Sequence, residues 1–185
     1  MEPHINPLDK ILFYKYLDKA TNYMEFGSGG STYQASVRPN IKNIMVVESD
    51  VGWINTLNSK ISHPSITFAY IDIESVPNSW GNPGKGCSKE KMKKYSDVNV
   101  PEGTDMILID GRFRVACCLK LFEQITNECT IAFDDFLNRK QYHIVLDYYD
   151  ILEYTHDKTM VILKKKAQKE CPPRDLIEFY EVIAE

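Results

Sequence analysis

Short apolar runs recur along this chain, and between them apolar residues fall at helical spacing. After Pro7, which suits the first turn of a helix, Leu8, Ile11, Leu12, Lys15 and Tyr16 keep the helical period. The run Tyr23-Met24-Glu25-Phe26 then leads into Gly27-Ser28-Gly29-Gly30. Asn43–Glu48 (NIMVVE), Ser65–Ile71 (SITFAYI), Asp105–Ile109 (DMILI) and Cys129–Phe133 (CTIAF) read as further strands. Helices are predicted through Trp53, Ile54 and Leu57, and through Val115, Cys118, Leu119 and Phe122. Short apolar strands alternating with helices predict a parallel sheet covered on both faces. The end of the chain differs. Asp150–Thr155 (DILEYT) and Thr159–Leu163 (TMVIL) are separated only by His156-Asp157-Lys158, too little for a parallel crossover, so they predict an antiparallel hairpin. The expected architecture is α/β: a Rossmann-like, doubly wound, mostly parallel sheet ending in an antiparallel hairpin, in one domain over residues 1–185.

Residues 76–104 interrupt the alternation. They hold Gly81, Gly84, Gly86 and Gly103 together with Lys85, Lys89, Lys91, Lys93 and Lys94. A stretch this long between two strands reads as a lid-like insertion near the strand C-termini, the alternative being a solvated insertion without a role.

Composition narrows the class. With 185 residues, 43% of them hydrophobic and 26% charged, the chain has enough apolar surface for one sizeable core. A formal net charge of −4 gives no basic footprint for nucleic acid. No apolar run is long enough to span a membrane. The opening MEPHINPLDK lacks a basic stretch followed by an apolar one, so no secretory leader is expected. Five cysteines without CxxC spacing point to free thiols in a reducing cytoplasm and against a structural zinc site.

The chemistry begins at the glycine-rich turn. Between a strand and a helix, Glu25-Phe26-Gly27-Ser28-Gly29-Gly30-Ser31-Thr32 lets backbone N–H groups approach a ligand closely. A nicotinamide fingerprint would be G-x-G-x-x-G, but its third glycine is Thr32 here, and an acid precedes the motif. That disfavours an NAD-linked oxidoreductase. A second acid, Glu48, ends the next strand, where a carboxylate accepts ribose hydroxyls, and Asp72 follows the third. Acid-x-Gly-x-Gly-Gly, the spaced acid Glu48 and the terminal hairpin together resemble the class I S-adenosylmethionine-dependent methyltransferases. The resemblance implies a cofactor, S-adenosylmethionine, held by Glu25, Gly27, Ser28, Gly29, Gly30, Ser31, Glu48, Asp72 and Asp110. The acid Glu25 would help hold the ammonium group, Glu48 the ribose and Asp72 the adenine side.

Three carboxylates, Asp110, Asp134 and Asp135, end the fourth and fifth strands, and adjacent strand ends share one crevice. Like charges crowded together call for a cation or a proton. Asp110-Gly111 followed by Asp134-Asp135-Phe136 resembles the acid pattern of metal-dependent O-methyltransferases. This implies Mg²⁺ on Asp110, Asp134 and Asp135; the other reading is that Asp110 orients ligands without metal. In the sugar-modifying members a second acid two residues past the first serves as base. Here that position is Arg112, followed by Arg114. Arginine is no base at neutral pH, but it clamps carboxylate or phosphate. His143 is then the best remaining base, weighed against a merely structural histidine.

Trp80-Gly81-Asn82-Pro83, Tyr95 and Ile109–Cys117 (IDGRFRVAC) resemble a set of small bacterial and viral methyltransferase-type proteins. Trp80 and Tyr95 either stack on a ligand or anchor the loop to the core. The expected activity is methyl transfer, mainly to oxygen, on a small sugar-like or anionic acceptor. Asp110, His143 and Arg112 are the catalytic candidates, and Arg112, Arg114, Trp80 and Tyr95 the acceptor-binding ones. No nucleic-acid or membrane partner is expected, and a homodimer is left open. The rival from another class is a binding module that keeps the fold without catalysis.

Overall fold

In the computed structural model, which describes residues 1–76, 79–156 and 159–184, seven strands form one sheet in the order β3-β2-β1-β4-β5-β7-β6. They are β1 (Asn22–Phe26), β2 (Asn43–Glu48), β3 (Ile66–Tyr70), β4 (Met106–Ile109), β5 (Thr130–Phe133), β6 (Tyr149–Tyr154) and β7 (Val161–Lys165). The first five pair in parallel, and β7 runs antiparallel to both β5 and β6. The predicted hairpin is therefore present, with β7 inserted between β5 and β6. Of its expected tip, Asp157 and Lys158 lie outside the described residues, as do Pro77 and Asn78 of the insertion.

Alternation along the strands builds two cores. Met24, Phe26, Val47, Ile107, Ile109, Ile131 and Phe133 face one side and meet Val115, Cys118, Leu119 and Phe122 of α5 (Arg114–Gln124). Their neighbours Tyr23, Val46, Met106, Leu108, Ala132 and Ile162 face the other, against Leu12, Phe13 and Leu17 of α1 (Pro7–Leu17). Because the central strands are covered on both faces, they read as near-continuous apolar runs rather than alternating ones, with the buried Glu25 an exception inside β1. Asn6 caps α1 through its side chain, and Pro7 follows it at the first turn.

Strand order reverses between β1 and β4. On one side the chain continues into α2 (Gly30–Ser36), β2, α3 (Val51–Asn58) and β3; on the other into α5 and β5. A crevice opens at such a switch point, outside the carboxyl ends of the strands.

The 76–104 insertion is not one continuous loop. Val76 donates to Asn82 O at 2.9 Å and Gly84 to Glu74 O at 2.9 Å, making a compact turn. Then α4 (Lys89–Ser96) forms, capped by Ser88, and its Tyr95 and Ser96 are buried. Apart from Met92 and Tyr95 this helix is strongly polar, so its narrow apolar stripe gives little periodic signal. A 3-10 helix (Lys140–Asp147) and α6 (Arg174–Tyr180) complete the fold.

Candidate functional site

Two turns at the strand ends press against each other to form the crevice floor. Gly27, at φ +90°, would place a Cβ 2.7 Å from the Gly111 backbone; a Cβ on Gly111 would stand 2.9 Å from Gly27 N and 2.2 Å from the Tyr95 hydroxyl. Only glycine allows this approach on both sides. Gly30 is restricted from elsewhere, since its Cβ would fall 2.1 Å from the Glu2 backbone. The N-terminal segment is held over it by Gln34 Nε2, which donates to Met1 O and Glu2 Oε1, and by Tyr14, which donates to Glu2. Gly29 is different: it is extended (φ 175°), and a Cβ there would meet no atom within 4 Å.

The turn is tied from below. Glu25 is fully buried and accepts hydrogen bonds from Thr32 Oγ1 and, at 2.8 Å, from Tyr23 OH. Thr32 Oγ1 in turn accepts from Gly29 N at 2.9 Å. A threonine where a dinucleotide motif has glycine thus links the buried acid to the turn. Burial pushes the Glu25 carboxyl up to about 7, against the opposing pull of those hydrogen bonds. Glu48 closes the other side. Its Oε2 accepts from Ser28 N (2.9 Å) and Ser28 Oγ (2.6 Å), and its Oε1 from Ser49 N (2.6 Å) and Asp50 N (2.9 Å). Trp53 Nε1 donates to Ser28 O at 3.0 Å.

Across the crevice floor stand the acids of β4 and β5. Arg114, 3% exposed, sends Nε to Gly111 O (3.0 Å), Nη1 to Asp134 O (2.8 Å) and Nη2 to Asp110 O (3.1 Å). The same guanidinium lies 3.0 Å from the Asp110 carboxylate and 3.4 Å from that of Asp135. Asp135 also pairs with Arg139 at 2.8 Å. Burial, then the charges of Asp110 and Asp135, push Asp134 up to about 8, and burial also raises Asp110. Both shifts favour the protonated form of a carboxyl in this buried cluster. Phe113 (φ 53°) and Asp135 (φ 59°) hold left-handed backbone in these turns, as does Trp80 (φ 58°) in the insertion.

No family model and no curated protein matches the chain, but solved structures do. A methyltransferase-like protein from Silicibacter pomeroyi superposes with a TM-score of 0.84 at 24% identity, covering 100% of this chain and 98% of that one. The N-methyltransferase NodS from Bradyrhizobium japonicum, in complex with S-adenosyl-L-homocysteine, gives 0.55 at 12% identity over 89% of each chain. Mitomycin 7-O-methyltransferase MmcR gives 0.51 at 10% identity, over 85% of this chain and 55% of that one.

The chain has the class I methyltransferase fold. The glycine turn of this methyltransferase fold brings Glu25, Gly27, Ser28, Gly29, Gly30, Ser31 and Glu48 together at the ends of β1 and β2, with Asp110 beyond the Gly27–Gly111 contact. Asp72 stands apart, half exposed, paired with Lys91 at 2.7 Å and accepting from Glu74 N.

The expectation of Mg²⁺ does not fit this arrangement. The cation compensating Asp110 and Asp135 is Arg114, whose Nε, Nη1 and Nη2 each donate to a carbonyl of the turns after β4 and β5 while its charge lies 3.0 and 3.4 Å from the two carboxylates. Among the described residues no cluster of His, Cys, Asp or Glu is arranged to hold a metal ion.

The remaining candidates separate. Tyr95, 1% exposed, packs between Phe26 and Phe113, which matches loop anchoring, while Trp80 is 75% exposed and touches the His4 ring at 5.2 Å. His143 stacks on Phe136 at 5.1 Å and donates from Nε2 to Phe136 O at 3.2 Å. Sequence reasoning overlooked the N-terminal segment over Gly30, whose only signal is the buried pair Pro3 and Ile5 in a polar run.

Proposed function

We propose that the chain transfers a methyl group from S-adenosylmethionine to a small acceptor, with an oxygen as the receiving atom. The observation that carries this reading is Gly29. Protein contacts account for Gly27 and Gly30, whereas Gly29 has an ordinary extended backbone and open space beside its α-carbon. A glycine needed neither by the backbone nor by packing suits the close approach of a ligand, and the turn's position at the switch point suits a nucleoside cofactor.

In this reading Gly27, Ser28, Gly29, Gly30 and Ser31 line the methionine side of the cofactor. Glu25 holds the turn's shape from beneath through Thr32, and Asp110 flanks it. Glu48 takes the ribose diol. Its four acceptor positions already serve Ser28, Ser49 and Asp50, so Ser28 yields one of them on binding. Asp72 marks the adenine side. When bound, the cofactor supplies a methyl group activated by a positive sulfur. The protein's contribution is then alignment, closure and removal of one proton.

For the proton, His143 is the candidate acceptor. Its Nε2–H is committed to Phe136 O, which leaves Nδ1 as the basic nitrogen. The exposed Trp80 and His4, meeting above the floor, form the roof of a single methyltransferase domain, and residues 79–82 are the lid portion of the 76–104 insertion.

Incubating the protein with S-adenosylmethionine and pools of hydroxylated small molecules, and measuring S-adenosylhomocysteine by mass spectrometry, tests this. Turnover with an O-methylated product is expected. Tight cofactor binding without turnover in any pool would instead identify a binding module.

A further inference from the structure

The carboxylates around the crevice are all engaged. Glu48 has Ser28 and two backbone N–H groups, Asp110 and Asp135 have Arg114, and Asp72 has Lys91. One cation, Arg112, is not. Arg112 belongs to the same turn as Arg114 and is two residues away, yet among the described residues no carboxylate lies within ion-pair distance of it. Its Nη1 donates to the neutral Asn82 Oδ1 at 3.1 Å, and its Nε is buried without any partner. The covering atoms belong to the 79–84 turn: an ideal Cβ on Gly81 would stand 3.9 Å from Arg112 Cγ. Burial, and then the charge of Arg114, lower the pKa of Arg112, so its cationic form is held at a cost.

A half-buried guanidinium with an unmatched N–H is a poor structural element. Leaving such a donor unpaired gives up its hydration without a protein partner in return. The same group is a strong receptor for an oxyanion, because its Nε–Nη2 edge matches two oxygens of a carboxylate or phosphate. Its place decides which ligand. Gly29, on the β1 turn, is where the cofactor approaches in the reading above. Arg112 stands on the other side of the Gly27–Gly111 contact, and a transfer reaction needs its second ligand on the adjoining side of the same crevice.

Resting on the methyl-transfer reading, we infer that Arg112 is the anion-binding residue of the acceptor site, and that the acceptor carries a carboxylate or phosphate group. The anion takes the Nε–Nη2 edge, and residues 79–82 move off Arg112 to admit it. Arg114 has no such capacity, because its donors are consumed by Asp110, Asp135 and backbone carbonyls.

The test uses the buried Nε–H of Arg112, a slowly exchanging ¹H–¹⁵N signal assigned by its loss in Arg112→Lys. The full-length protein is titrated with inorganic phosphate and, separately, with acetate, each with and without saturating S-adenosylhomocysteine. A saturable shift of that signal is expected with at least one anion, and it persists when S-adenosylhomocysteine is bound. The stronger anion names the acceptor's charged group. In Arg112→Gln the anion response disappears, while S-adenosylmethionine affinity stays within about twofold. Absence of any shift with either anion overturns the inference. So does a shift abolished by S-adenosylhomocysteine together with a tenfold or greater loss of S-adenosylmethionine affinity in Arg112→Gln, which would give Arg112 to the cofactor's own carboxylate. If the wild-type chain binds no S-adenosylhomocysteine, it is the methyl-transfer reading that falls, and the anion titration of the free protein still reports on Arg112.

Discussion

The turn after β1 and the turn after β4 touch at Gly27 and Gly111, yet they are built on opposite plans. The first carries no charge of its own between Gly27 and Thr32 and is shaped by hydrogen bonds to two acids beneath and beside it, Glu25 and Glu48. The second is dense in charge, with Arg114 packed among Asp110, Asp134 and Asp135 and Arg112 left over. On the proposed methyl-transfer reading, the difference separates the cofactor's turn from the acceptor's. A neutral turn of glycines and serines suits a cofactor that is the same in every member of a fold. A charged turn with one unmatched cation suits the ligand that differs from one member to another.

The largest effect that would sharpen this contrast is on Arg114. Arg114→Met leaves Asp110 and Asp135 without their buried cation and should destabilise the fold by about 3–5 kcal/mol in urea melts. Arg112→Gln should change stability by less than about 1 kcal/mol, because no ion pair is broken. Equal losses in the two variants would erase the distinction between the arginines. Next comes the contact of the turns: Gly111→Ala puts a methyl against the Tyr95 hydroxyl and Gly27 N and should cost roughly 2–3 kcal/mol, measured the same way.

A smaller effect concerns pH. Glu25 rises from 4.5 to about 7 and Asp134 from 3.8 to about 8 in the fold. The folded chain therefore binds more protons than the unfolded chain between about pH 4 and 8, so these groups favour the fold below that range and lose that contribution as pH rises through it. The melting temperature should fall by several degrees from pH 5.5 to 8.5, and Asp134→Asn should flatten the slope. A slope of opposite sign would contradict the protonated Asp134. Least of all, a chelator should leave activity unchanged, since Arg114 stands where a metal would; loss of activity restored by Mg²⁺ would reverse that assignment.

These two turns were not equally legible in the sequence. The glycine run, the acids at Glu25 and Glu48, and the parallel strands with their closing hairpin follow from periodicity and spacing, which local chemistry dictates. The bounds of Asn43–Glu48 are legible because polar Asn43 and Glu48 flank an unbroken apolar run. The charged turn is less legible, because three acids at strand ends invite a cation and the sequence does not say that Arg114 folds back to supply it. Helix α4 is hidden within the lid-like insertion because only Met92 and Tyr95 mark its apolar face. Helix α6 has no buried residue, which leaves little in its sequence to announce it.

The central claim rests on Gly29, and calorimetric titration of S-adenosylmethionine into the wild-type chain and into Gly29→Val tests it most directly. Binding to the wild type, a loss of about a hundredfold or more in Gly29→Val, and an unchanged melting temperature are expected, because the new side chain meets ligand and not protein. No binding to the wild type, or equal binding to both, would contradict the placement of the cofactor on this turn.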